Sequence, residues 1–71
     1  MPLSKTHIGD EARIVRITEE GDVRQHLEHL GFVPGETVTV VSQIANNLIL
    51  SIKNTRIALD KSLVEKIIVQ H

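Results

Sequence analysis

Along this chain, apolar and polar positions alternate over short runs that break at turn residues, and only one stretch carries a helical period. In residues 12–18 the apolar positions are Ala12, Ile14, Val15 and Ile17, which do not hold one strict alternation. A bulge near Val15 and Arg16 reconciles them with a strand. In residues 36–43, Val38 and Val40 fall on one face and Thr37 and Thr39 on the other, until Val41 breaks the pattern and predicts a bend. Leu48, Leu50 and Ile52 share one face of the next run, Ile57 and Leu59 of the one over 55–59, and Ile67 and Val69 of the last, 66–70. Ala45-Asn46-Asn47 and Asn54-Thr55 supply the tight turns between them.

The helical stretch is 22–30. Asp22 can accept from a first-turn amide as N-cap, and Gln25 three residues on completes a capping box. At about 100° per residue, Val23, Leu27 and Leu30 form a stripe roughly 60° wide that should face the sheet. Arg24 and Glu28 form an i,i+4 pair on the opposite face. Gly31 can take the left-handed conformation that ends a helix, bringing Phe32 back onto Leu27 in a Schellman arrangement. Val33-Pro34-Gly35-Glu36 then has Pro and Gly where a type II turn needs them. A helix this short does not persist alone in water, so it must dock as a lid on the strands.

Two smaller pieces complete the chain. In residues 3–10, Ser4 can cap a single turn, Leu3 and Ile8 can reach the core, and Gly9-Asp10 makes a loop. Asp60-Lys61-Ser62-Leu63 reads as a capped helical turn before the last strand. The expected fold is mostly β: one domain over 1–71, a small five-stranded, partly open SH3-like barrel, with one short helix after the first strand and a helical turn before the last.

Composition narrows this picture. Seventy-one residues, 41% hydrophobic with Phe32 the one aromatic, make a small core of Val, Ile and Leu, the set that favours strands. The absence of cysteine removes disulfides, thiolate metal sites and a cysteine nucleophile. No apolar run exceeds three residues, so a soluble, unprocessed, cytoplasmic protein that is not membrane-embedded is expected. A formal net charge of −1 and the lack of any aromatic pair leave nothing to collect phosphates or stack bases, so nucleic acid is not an expected partner. No phosphate-binding loop, catalytic triad or paired-carboxylate pattern is visible, which argues against an enzyme.

The combination of Gly21-Asp22, Leu27, Leu30-Gly31-Phe32, Pro34-Gly35, Val38, Val40, Ile57-Ala58-Leu59 and Ile67-Ile68-Val69 resembles the ferrous iron transport protein A (FeoA) family over nearly the whole chain. The helix followed by Leu-Gly-Phe-Val-Pro-Gly is the most specific part. Two positions depart from the family's habit: Ile8-Gly9 where Pro-Gly is frequent, and Asn54 where Gly is usual. Asn is the non-glycine residue best suited to positive φ, so the fold is not put in doubt. The resemblance implies a non-enzymatic accessory or regulatory protein of bacterial ferrous iron uptake. Its implied partner is the membrane ferrous iron permease, contacted at its cytoplasmic G-protein part, with no required cofactor. It also leaves room for ferrous or another divalent transition metal, hence an alternative reading as a metal-binding or metal-sensing module. Exposed strand edges are compatible with a homo-oligomer.

Candidate residues are few. His26 and His29, at i,i+3 on the helix, are spaced for a metal to bridge, yet nothing nearby in sequence completes a ligand set, so they read as surface histidines available to a partner. His7 and His71 sit at loose ends and could add ligands only through a particular fold or oligomer. Phe32, a lone aromatic beside a structured turn, could anchor a partner if its outer edge stays exposed, although closing the helix onto Leu27 is its plainer role. Arg56, with Lys53, Arg13 and Arg16, could form a basic strip for an acidic partner, against the plainer reading of a mixed solvated surface. The partner-binding set is therefore His26, His29, Phe32 and Arg56, with no metal ligand assigned.

Overall fold

The structure, a computed structural model, describes residues 1–70. After a 3-10 turn at Leu3–Lys5, the elements are β1 (Glu11–Ile17), α1 (Asp22–His29), β2 (Thr37–Ile44), β3 (Asn47–Ile52), β4 (Thr55–Asp60), α2 (Lys61–Val64) and β5 (Ile67–Gln70). The five strands form one antiparallel sheet in the order β4-β3-β2-β1-β5. Among the described residues no ladder joins β4 to β5, so the sheet is open and barrel closure is not seen. It is nonetheless curled. Flat, five strands at about 4.8 Å spacing would make a slab near 19 Å wide and thin in one direction, whereas the molecule measures 28 × 24 × 23 Å. The sheet covers much of its own apolar face, which explains how two short helices suffice to bury Val38, Val40, Leu50, Ile52, Ile67 and Val69.

Both expected irregularities are present, and each has a packing reason. Against β5 the register shifts between Ile14 and Arg16, so Val15 is the extra residue and stays exposed while Ile14 and Ile17 both point inward. Against β3 it shifts between Val40 and Ser42, with Val41 extra. The last hairpin turns on Lys53-Asn54 rather than on Asn54-Thr55: both residues have positive φ (51° and 64°), as a type I′ turn requires, and Thr55 already belongs to β4. In the β2–β3 turn, Ala45 takes the positive φ (53°), not an asparagine.

Three expectations near the helices need correction. The N-cap of α1 is Gly21, at φ 70° and ψ −138°, with no side-chain capping bond; its carbonyl accepts from the Gln25 amide at 3.0 Å. That backbone angle suits glycine, and it places Asp22 in the first turn, where a carboxylate still complements the helix dipole. Ser4 lies inside the 3-10 turn, whose N-cap is Pro2 without a side-chain bond. Ile8 is 61% exposed; Leu3 alone of that pair reaches the core. The α2 cap is as expected, with Asp60 Oδ1 accepting from the Ser62 amide at 3.1 Å.

Candidate functional site

The helix end and the chain leaving it are closed by a run of backbone hydrogen bonds. The Phe32 amide donates to the Leu27 carbonyl and the Gly31 amide to the Glu28 carbonyl, both at 3.0 Å. With Leu30 as C-cap and Gly31 at φ 108°, this is the Schellman arrangement expected from Leu30-Gly31-Phe32. The Glu36 amide then donates to the Val33 carbonyl at 3.1 Å, with Gly35 at φ 94°, closing the turn after Pro34. Gly35 N and Ile14 O, and Ile14 N and Glu36 O, are bonded at 2.8 Å, which ties this exit to β1.

This arrangement decides what each candidate can do. Phe32 is 0% exposed, as is Leu27, with which it shares the core. The partner-anchor reading of Phe32 is therefore overturned: no outer edge remains for a partner, and the ring is the largest fully buried side chain of the core. The apolar stripe is also shorter than the helical wheel suggests. Leu27 is buried and Leu30 packs against the core, but Val23 is 36% exposed, so only the C-terminal half of α1 docks. His26 and His29 stand exposed in the last turn of that half. Arg24 and Glu28 pair at 3.7 Å on the solvent side as expected.

A contact that the local sequence did not signal lies beside the helix end. Lys53, on the β3–β4 turn, lays its methylenes over Gly31, where an added Cβ would sit 3.4 Å from its Cδ, and its Nζ lies 3.7 Å from Glu36. Two segments far apart in sequence meet here, brought together by the pairing of β2 with β3, in which Val38 lies opposite Ile52.

The expected basic strip does not assemble. Arg56 is on the edge strand β4, while Arg13 and Arg16 are on β1, three strand positions away, or about 14 Å. Lys53 is committed to Glu36. Arg56 is exposed and makes no ion pair among the described residues. Arg13 instead lines an open depression of about 320 Å³ with Glu11, Ala12, Thr37 and Gln70.

Among the described residues no group of three or more His, Cys, Asp or Glu side chains is placed to hold a metal ion. His26 and His29 would need ligands from outside this set. His7 lies 3.8 Å from Asp10 at the surface, and His71 lies outside the described residues. No helix among the described residues is long and apolar enough to cross a membrane.

Comparison with known proteins gives these features a context. The family model of the FeoA domain matches residues 1–71. A fusion protein of Fe(2+) transport protein A and Fe(2+) transporter FeoB from Porphyromonas gingivalis is 49% identical over 41 residues; that match takes in 58% of this chain but only 5% of the relative. A crystal structure of an iron uptake regulatory protein (FeoA) is 31% identical with a TM-score of 0.90, over 99% of this chain and 95% of that one. The zinc-complexed FeoA of Stenotrophomonas maltophilia, described as a prokaryotic SH3 domain protein, is 26% identical with a TM-score of 0.89, over 99% and 89% of the two chains. With the family model matched from end to end and the five-stranded fold shared, this chain belongs to the FeoA family.

Proposed function

We infer that this chain is a non-enzymatic accessory module of bacterial ferrous iron uptake, acting on the cytoplasmic side through contact with the G-protein part of the membrane permease. One observation carries the reading: in the Porphyromonas gingivalis relative, a segment 49% identical to this chain belongs to the same polypeptide as the transporter. Tethering raises the local concentration of one module at the other to about the millimolar range. That arrangement suits two parts that work in contact. The exposed end of α1, with His26 and His29, is the surface offered to the partner, and Arg56 on β4 is a second, separate point.

Titration calorimetry between the purified chain and the permease's soluble G-protein domain tests this, together with ferrous iron uptake by cells lacking the chain. Saturable binding that weakens several-fold in a His26→Ala, His29→Ala double variant, with uptake reduced by the deletion, is the expected result. No binding together with unchanged uptake would sink the proposal.

A second reading, a module that takes a transition metal, is favoured by the zinc complex of the Stenotrophomonas maltophilia relative. Here His26 and His29 would supply two imidazoles and a partner or second copy the rest. Zinc titration followed by histidine NMR shifts decides it, and unchanged shifts at stoichiometric metal remove it.

A further inference from the structure

The two edges of the sheet are not equivalent. On β5 the outer edge is covered by the start of the chain: the Met1 ammonium donates to the Val69 carbonyl at 2.9 Å, the Val69 amide donates to the Met1 carbonyl at 2.8 Å, and Pro2 bridges Ile68. On β4 no such cover exists among the described residues. Ile52 and Thr55 flank a two-residue turn and so form a hydrogen-bonded pair, which directs the backbone groups of Thr55, Ile57 and Leu59 at β3. The Lys61 amide keeps the same parity, donating to the Asn46 carbonyl at 2.8 Å. The backbone groups of Arg56, Ala58 and Asp60 therefore face outward, and their side chains are exposed. An unpaired edge of this kind is a template for another strand.

We propose that this edge pairs with the same edge of a second copy, antiparallel and two-fold, centred on Ala58. In that register Arg56 lies opposite Asp60 of the other copy, twice over, and Ile57 lies opposite Leu59 on the inner face. Parity agrees, because outward-facing residues meet outward-facing residues. The Asp60 carbonyl serves the first turn of α2, which leaves about four ladder hydrogen bonds across the two-fold. Charge selects the register: centring on position 56 or 60 instead sets Arg against Arg or Asp against Asp, whereas Ala58 puts a small side chain at the axis and opposite charges on either side. Because β5 is covered, only one edge is free among the described residues, so the assembly closes as a dimer and does not propagate into a filament.

The chain has no cysteine, so a single introduced thiol reports pairing directly. In the proposed register the two copies of position 58 lie about 5.5 Å apart between Cα atoms, within disulfide reach, while the two copies of position 55 lie about 20 Å apart. Under mild oxidation of the purified full chain, Ala58→Cys should form a disulfide dimer at least about tenfold faster than Thr55→Cys. Adding Arg56→Glu to Ala58→Cys should slow it several-fold, with the backbone amide spectrum outside β4 unchanged. The permease is absent from this experiment, so its outcome is independent of the proposed function. Equal rates at the two positions, no dimer from Ala58→Cys, or indifference to Arg56→Glu in a folded protein would overturn the proposal.

Discussion

Replacing Phe32 by Ala separates a core role from a partner-contact role. Phe32 is 0% exposed and shares the core with Leu27, itself 0% exposed, and the amide of Phe32 closes the helix onto the Leu27 carbonyl. Truncating a fully buried Phe costs about 3 to 5 kcal/mol, combining lost transfer energy with the cavity left behind. A 71-residue domain at roughly 0.05 to 0.15 kcal/mol per residue has only about 4 to 11 kcal/mol in total. The substitution therefore removes about a quarter or more of the stability, and at the upper end unfolds the chain. Urea denaturation should show the midpoint falling at unchanged slope, with the thermal midpoint lower by roughly 12 °C or more. Affinity for the permease domain, corrected for the folded fraction at low temperature, should stay within twofold. A variant that loses less than about 1 kcal/mol while its corrected affinity collapses would refute the reasoning and restore Phe32 as a contact residue.

Three further substitutions probe the same frame. Gly31→Ala should cost about 1 to 3 kcal/mol in urea unfolding, because φ 108° strains any L residue; Lys53→Ala in the same chain should not rescue it, since the added Cβ meets Lys53 at an ordinary 3.4 Å. Asp60→Ala should lose about 1 kcal/mol by uncapping α2, while Asp60→Asn, which keeps an acceptor for the Ser62 amide, should lose much less in the same assay. Val23→Ala should change stability by no more than about 0.5 kcal/mol, as expected of a residue left at the surface.

What could be read from the sequence follows from how far each signal reaches. The Schellman end at Leu30-Gly31-Phe32, the turn at Pro34-Gly35, the bulge at Val15 and the cap at Asp60 are each written within a few residues, and the structure has all of them. Errors arose where a neighbour outside that window decides. Gly21 and Asp22 can both precede a helix, and the positive φ (70°) at which the chain enters α1 suits the glycine. The wheel puts Val23 in line with Leu27 and Leu30, but it cannot say that only one end of α1 meets the sheet. The pairing of Phe32 with Leu27 was legible; that no part of the ring reaches solvent was not.

The candidate site was less legible than the fold because strand order is a long-range property. Local patterns mark the strands and the turns between them but do not say which strand β5 takes as its neighbour. Helix α2, held by the Asp60 cap and buried through Val64, carries the chain across the molecule and delivers β5 to β1. With β2 and β3 lying between β1 and β4 whichever neighbour β5 takes, Arg13 and Arg16 are kept apart from Arg56 and the expected basic strip does not form. The crossover itself places β1 in the interior of the sheet. It also leaves β4 as the uncovered edge, so that Arg56 and Asp60, unremarkable in sequence, become opposite charges spaced evenly about Ala58 on a strand with unpaired backbone. The residues were in view from the start; their significance depends on which strand the last one chooses as its neighbour.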